Sequence, residues 1–312
     1  MRKGTKLVAA SAGLAMSLSL AACGDDGGSG SATGDRLEGV SLTVGSKDFT
    51  ENILLGEILA QALANEGADV TNQTNLGGTS VAREALLAGE LNVYPEYNGT
   101  GWTVHLGNED PSQDPEELYT VTAEADLEQN DIKWVGRSPF NDTYGFAANG
   151  DLAAAEGGFD FDSMAAYLEA NPDTTVCMES EFPDRPDGLV LFEEATGYTV
   201  PQSQQQILDT GLIYTETADG NCDFGEVFTT DGRIPALDLR VLEDDRQFFP
   251  LYNLTEVIDT DLLEAHPELA EIFGQLNPRL TNEVMLKLNA EVDNEGRDPA
   301  LVARDWLIEE GL

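Results

Sequence analysis

Beyond the first 22 residues the chain has three lysines, Lys47, Lys133 and Lys287. Lys47 stands in the stretch VGSKDFTE, between a short apolar β run and an amphipathic helix. Ser46 and Lys47, with the unpaired N–H groups that begin a helix, make a seat for a carboxylate or phosphate. A surface lysine balancing Asp48 and Glu51 is the alternative. Five aromatic residues fall near predicted strand ends: Tyr94, Tyr97, Tyr144, Phe228 and Tyr252. Ring faces that converge on one point attract a methylated ammonium group through cation–π interaction. Such a group has no hydrogen to donate, so a cage of rings defines its shape better than a carboxylate does. Aromatic residues at strand ends also serve simply as core. VYPEYNGTGW, residues 93–102, is the densest of these stretches, and its Trp102 is read as core packing.

Other chemistry finds little support. There is no GxSxG elbow, P-loop, HExxH or dinucleotide fingerprint. Glu96 is the one carboxylate placed to act as an acid or base, and beside Pro95 it reads as a brace for the turn. His105 and His266 lack metal-ligand spacing and read as surface or helix-end histidines. No metal, no cofactor and no catalytic role are expected.

The elements that must carry these residues alternate. GVSLTVGS reads as a strand, and FTENILLGEILAQALANEG as a helix with a stripe at 53, 54, 58, 59 and 63. Thr79-Ser80 reads as a capped start to VAREALLAGE. LNVYPEY, NDTYGFAAN, DTTVCME, FGEVFTTD and LDLRVLEDD read as strands. PEELYTVTAEADLEQN, FDSMAAYLEAN, GLVLFEEATG and QSQQQILDTGL read as helices, and the last quarter is helical. This is the α/β class with mostly parallel sheets, in which ligands sit at the carboxyl ends of strands.

The N-terminus is a leader. Arg2, Lys3 and Lys6 precede an apolar run too short to span a bilayer comfortably. The run ends in Leu20-Ala21-Ala22-Cys23, which resembles a lipobox, with Cys23 taking the lipid. Residues 23–39 follow as a Gly/Ser/Asp tether, and folded structure starts near Leu37. The chain has 16 basic and 58 acidic residues, a net charge of −42, which argues against nucleic acid or anionic lipid as a partner. The two cysteines left, Cys177 and Cys222, form an even pair that reads as a disulfide in an oxidising compartment, two buried thiols being the alternative.

VGSKDFTENILLGEILAQAL, NLGGTSVAREALLAGELNVYPEYNGTGW, FTTDGRI, FFPLYN and LNAEVDNEGRDPALVARDWLIEEGL resemble, in order, the substrate-binding lipoproteins of glycine betaine/carnitine/choline (osmoprotectant) ABC importers. The resemblance implies a type II periplasmic-binding-protein fold of two α/β lobes, with crossings near residues 140–146 and 248–252. Lobe one would be residues 40–142 plus 249–312, and lobe two residues 143–248, with the cysteine pair inside it. It implies a ring cage of Tyr97, Tyr144, Phe228 and Tyr252, where Phe228 replaces the usual tyrosine and loses its hydroxyl. It implies a carboxylate seat of Lys47, Thr100 and Arg185. The ligand would be a quaternary-ammonium zwitterion of the glycine betaine, proline betaine or carnitine type. Choline or ergothioneine on the same scaffold, or an enzyme of the same fold, are the alternatives. The partners would be an ABC permease and, through the lipid anchor, the cell membrane. The chain is expected to be an extracytoplasmic monomer.

Overall fold

The computed structural model describes residues 34–244 and 246–312. The leader, Cys23 and most of the tether lie outside the described residues. Ordered packing begins where the sequence places it, since Leu37 is fully buried and its N–H donates to the Glu66 carbonyl.

Two five-stranded sheets organise the chain. The first has the order β2-β1-β3-β10-β4, from β1 (Ser41–Gly45), β2 (Asp69–Gln73), β3 (Val93–Tyr97), β4 (Ile132–Val135) and β10 (Leu254–Asp259). The second has the order β7-β6-β8-β5-β9, from β5 (Tyr144–Ala148), β6 (Val176–Met178), β7 (Gln205–Ile207), β8 (Phe224–Phe228) and β9 (Arg240–Val241). Both follow one plan. Three strands run parallel, and the fourth, β10 or β5, is antiparallel to the strands on either side. Each antiparallel strand is the first one laid down after the chain passes from one sheet to the other.

The two passages, residues 136–143 and 242–253, run side by side. Asn141 and Asn253 form an antiparallel bridge, the Asp142 N–H donates to the Tyr252 carbonyl, and Asn253 Nδ2 donates to the Phe140 carbonyl at 2.7 Å. Two α/β lobes on such a pair of crossings form the type II periplasmic-binding-protein fold.

Helix α1 (Thr50–Asn65) buries Leu54, Leu55, Ile58, Leu59 and Leu63, each worth roughly 2 kcal/mol when fully removed from water. Its packing on the C-terminal helix, Pro299–Glu310, fixes the turn that carries Lys47. Among the described residues no helix is long and apolar enough to cross a membrane.

Several expected elements differ. QSQQQILDTGL is not one helix. Gln205–Ile207 pairs with β6 as strand β7, and a helix spans Thr210–Ala218. Helix α2 (Thr79–Leu87) is capped by Gly78 with no side-chain cap bond, so Thr79 is not the cap. Trp102 is half-exposed, donating to the Glu109 carbonyl, and is not core.

Cys177 and Cys222 are joined in a disulfide and both are fully buried. The bond ties β6 to the entry of β8 across 45 residues of sequence. Closing a loop of that length removes about 4 kcal/mol of unfolded-state entropy. The Cys177→Ala/Cys222→Ala variant is therefore expected to melt at lower temperature than the parent while holding its ligand almost as tightly. Thermal unfolding followed with and without a reductant checks this, and an unchanged melting temperature would refute it.

Candidate functional site

The parallel strands of both sheets end at one shared cavity of about 140 Å³. Tyr97 closes β3 and Phe228 closes β8. The antiparallel strands bring their opening residues to the same place, because Tyr144 is in register with Phe228, and Leu254, two residues after Tyr252, with Tyr97. The local fold thus explains why four aromatics far apart in sequence meet. All seven residues expected to touch ligand, Lys47, Tyr97, Thr100, Tyr144, Arg185, Phe228 and Tyr252, line this one cavity.

Tyr144 is the centre of the ring set. Its centroid lies 5.2 Å from Phe228 and 5.3 Å from Tyr252, the latter in an edge-to-face arrangement. Both distances fall in the range where ring pairs attract. Thr100 follows through a short helical turn, Asn98–Thr100. Gly99 is needed there, since a Cβ would stand 2.8 Å from the Leu251 carbonyl of the second passage.

Arg185 forms the polar end. Its Nε and Nη2 donate to the two carboxylate oxygens of Asp187, both at 2.9 Å, while Nη1 donates to Thr79 Oγ1 at 3.1 Å and Nη2 to Thr100 Oγ1 at 3.4 Å. Asp187 also accepts from Tyr252 (2.8 Å) and Thr103 (2.9 Å). The guanidinium lies 5.5 Å from the centre of the Tyr144 ring.

Lys47 is placed less simply than the sequence suggests. Its ammonium lies 5.2 Å from the Tyr97 ring centre but is held by Glu96 Oε1 at 2.5 Å. Glu96 also accepts from Tyr94 and the Tyr97 backbone and faces His105 Nε2 at 2.8 Å. Burial opposes charge on Glu96, but Lys47 and His105 outweigh it and hold the carboxyl well below the usual range. His105 ends the helical segment Gly101–His105 but is not a surface histidine, its side chain being 4% exposed; His266 also sits at a helix end. The Ser46 hydroxyl is spent inside the turn, donating to the Lys47 carbonyl and accepting from Asn75 N–H. Tyr94 is fully buried in the packing between β3 and its neighbours.

Sequence reasoning missed part of the wall. Phe49, Thr79, Asp142, Glu179, Ser180 and Glu181 line the cavity too. Phe49 was open to detection as the aromatic residue two places after Lys47. Behind Tyr97, whose hydroxyl donates to Glu51 at 2.9 Å, Thr230 bridges the buried carboxyls of Glu51 and Asp142. Burial and then mutual repulsion push Asp142 well up, and burial raises Glu51. Burial also pushes Glu179 up to about 7.

Two lobes meeting over a small cavity walled by rings, with a guanidinium and hydroxyls beside them, define a solute-binding protein. The chain belongs to the OpuAC family, described as the substrate binding domain of ABC-type glycine betaine transport systems, which matches residues 40–309. It is 37% identical to the glycine-betaine-binding protein of Pseudomonas aeruginosa, over 87% of this chain and 88% of that one. It is 31% identical to the glycine betaine-binding protein YehZ of Escherichia coli K12, over 86% and 90%. A solved structure described as a glycine betaine/carnitine/choline ABC transporter superposes with a TM-score of 0.68 at 28% identity, over 86% of this chain and 98% of that one.

Proposed function

We propose that this chain captures a quaternary-ammonium zwitterion of the glycine betaine, proline betaine or carnitine type and presents it to an ABC permease. The observation that carries this reading is the convergence of Tyr97, Tyr144, Phe228 and Tyr252 with Arg185 and Thr100 on one cavity. At about 140 Å³ the cavity is below the roughly 300–1,000 Å³ usual for drug-sized ligands, which suits a compact solute. The rings take the methylated ammonium, and Arg185 with Thr79 and Thr100 takes the carboxylate. Lys47, neutralised by Glu96, contributes mainly field and shape. No bond is broken, and the bound solute favours the closed pair of lobes by bridging them. Lobe one is residues 40–142 plus 249–312 and lobe two residues 143–248, in keeping with the paired passages. The LAAC motif supports an extracytoplasmic, lipid-anchored monomer with the lipid on Cys23.

One observation favours choline as a second reading. Both cavity cations already have carboxylate partners, Lys47 with Glu96 and Arg185 with Asp187, so a ligand carboxylate must compete for them. Calorimetric titration of the soluble domain with glycine betaine, proline betaine, carnitine, choline and ergothioneine separates the readings. Heat with none of them would sink both. Tyr97→Ala is expected to weaken binding about 30-fold, the worth of roughly 2 kcal/mol of desolvated ring contact, without lowering the melting temperature to match.

A further inference from the structure

Beside the ligand cavity lies a second, larger one of about 660 Å³. The two share Asp48, Phe49, Glu179, Ser180, Thr210 and Phe228 as lining residues. Only two of these six carry rings. Phe49 and Phe228 lie 5.0 Å apart at an interplanar angle of 23°, and Phe49 lies 6.2 Å from Tyr97 at 28°. Phe49 is thus sandwiched between cage rings supplied by the two different sheets. It comes from the turn before α1 and needs no partner for a polar atom. Phe228 is pinned from behind, its backbone N–H donating to the Tyr214 hydroxyl at 2.9 Å.

The geometry points to Phe49 as the residue that sets the length limit of the ligand. With the ring in place, the Phe49–Phe228 stack is the partition between the small cavity and the large one, and only a compact quaternary-ammonium zwitterion fits. Without it the two spaces join. The larger space is rich in acceptors, with Asp209, Asp231 and Asp293 in its wall and Arg233 already held by Asp231 at 2.5 Å. It therefore suits an extension that is polar and neutral or cationic, not a second anion. This inference rests on the quaternary-ammonium reading above and deepens it from the class of ligand to its permitted size.

The test compares glycine betaine with acetylcarnitine, a longer trimethylammonium zwitterion bearing an acyl ester, on the parent, Phe49→Ala and Phe49→Trp. The expected result for Phe49→Ala is a fall in glycine betaine affinity with acetylcarnitine held or improved, so that the ratio of the two dissociation constants moves at least tenfold towards the longer ligand. Phe49→Trp, which keeps a partition, leaves the preference for the small ligand in place. Equal losses for both ligands in Phe49→Ala would mean the ring only packs, and unchanged affinities would mean it does not bound the site; either overturns the inference. Should the alanine variant melt below the assay temperature, Phe49→Leu carries the same comparison with a smaller shift. A parent that binds glycine betaine while the ratio stays fixed refutes the size limit alone. A parent that binds no quaternary ammonium compound refutes the functional reading beneath it.

Discussion

Replacing Arg185 by alanine is expected to reduce ligand affinity by about two to four orders of magnitude. The guanidinium spends its donors on Asp187, Thr79 and Thr100, and it is 6% exposed. Its loss leaves Asp187 buried with only the Tyr252 and Thr103 hydroxyls as donors. Stranding one member of a buried ion pair costs about 3–5 kcal/mol, which is the affinity change stated. Thr79, Thr100, Thr103 and Tyr252 come from one side of the cavity, Arg185 and Asp187 from the other. On the proposed lobe boundaries, these bonds cross from one lobe to the other. The penalty therefore falls on the closed, ligand-holding form more than on either half. Arg185→Lys keeps the charge but not the planar fork, so an intermediate loss is expected. Calorimetry on both variants, with thermal unfolding of the ligand-free protein as the control, checks the claim. A dissociation constant within threefold of the parent would refute it.

Glu256→Gln is expected to flatten the pH dependence of stability between about pH 4.5 and 8. Glu256 sits in the middle of β10, 2% exposed, and accepts a hydrogen bond from Asn277. Burial pushes its carboxyl from 4.5 up to about 8. The folded state therefore holds a proton that the unfolded chain releases. The resulting stability is complete below about pH 4.5 and is lost as pH rises through about 8. At 1.36 kcal/mol per unit, the upper bound is about 5 kcal/mol. Glutamine keeps the shape and the acceptor for Asn277 but cannot ionise. Melting temperatures of parent and variant should be close at pH 5 and diverge by pH 8.5, the variant being the more stable. The raised carboxyls of Asp142, Glu179 and Glu226 add a slope of the same sign to both proteins, so the difference isolates Glu256. Parallel pH curves would show that its proton is not linked to folding.

The site was more legible than the sheets that hold it. Residues at the carboxyl ends of β1, β3 and β8 were marked by turn chemistry and by aromatics in a chain with 8 Tyr. The remainder of the cage came from resemblance. The strands that escaped notice have physical reasons for doing so. β2 reads DVTNQ and exposes most of its side chains as an edge strand, so no apolar alternation marks it. β10 reads LTEVID, with Thr255 and Glu256 buried at its centre, which breaks the apolar run that announces a central strand. In QSQQQI the glutamines favour a helix locally, and pairing with β6 overrides them. Thr79 has the right residue type for a cap. Its actual partner, Arg185, is 106 positions away, and no local pattern encodes that. Lys47 lines the cavity, but the partner that balances its charge, Glu96, lies 49 positions later and is equally invisible to local pattern.

The paired passages between the sheets have one more consequence. Tyr144 begins the strand that leaves the first passage, and Tyr252 lies within the second, with its backbone N–H bound to Asn141 Oδ1 at 2.6 Å. Half of the expected cage is therefore mounted on, or beside, the pivot itself. A rotation that parts the lobes would carry Tyr144, which is paired with Phe228, away from Tyr252 and Tyr97. Unloading would then be an act of dismantling rather than of uncovering. The solute would lose its grip at the same moment that a route out appears, so a transporter that pries the lobes apart would receive a ligand already released.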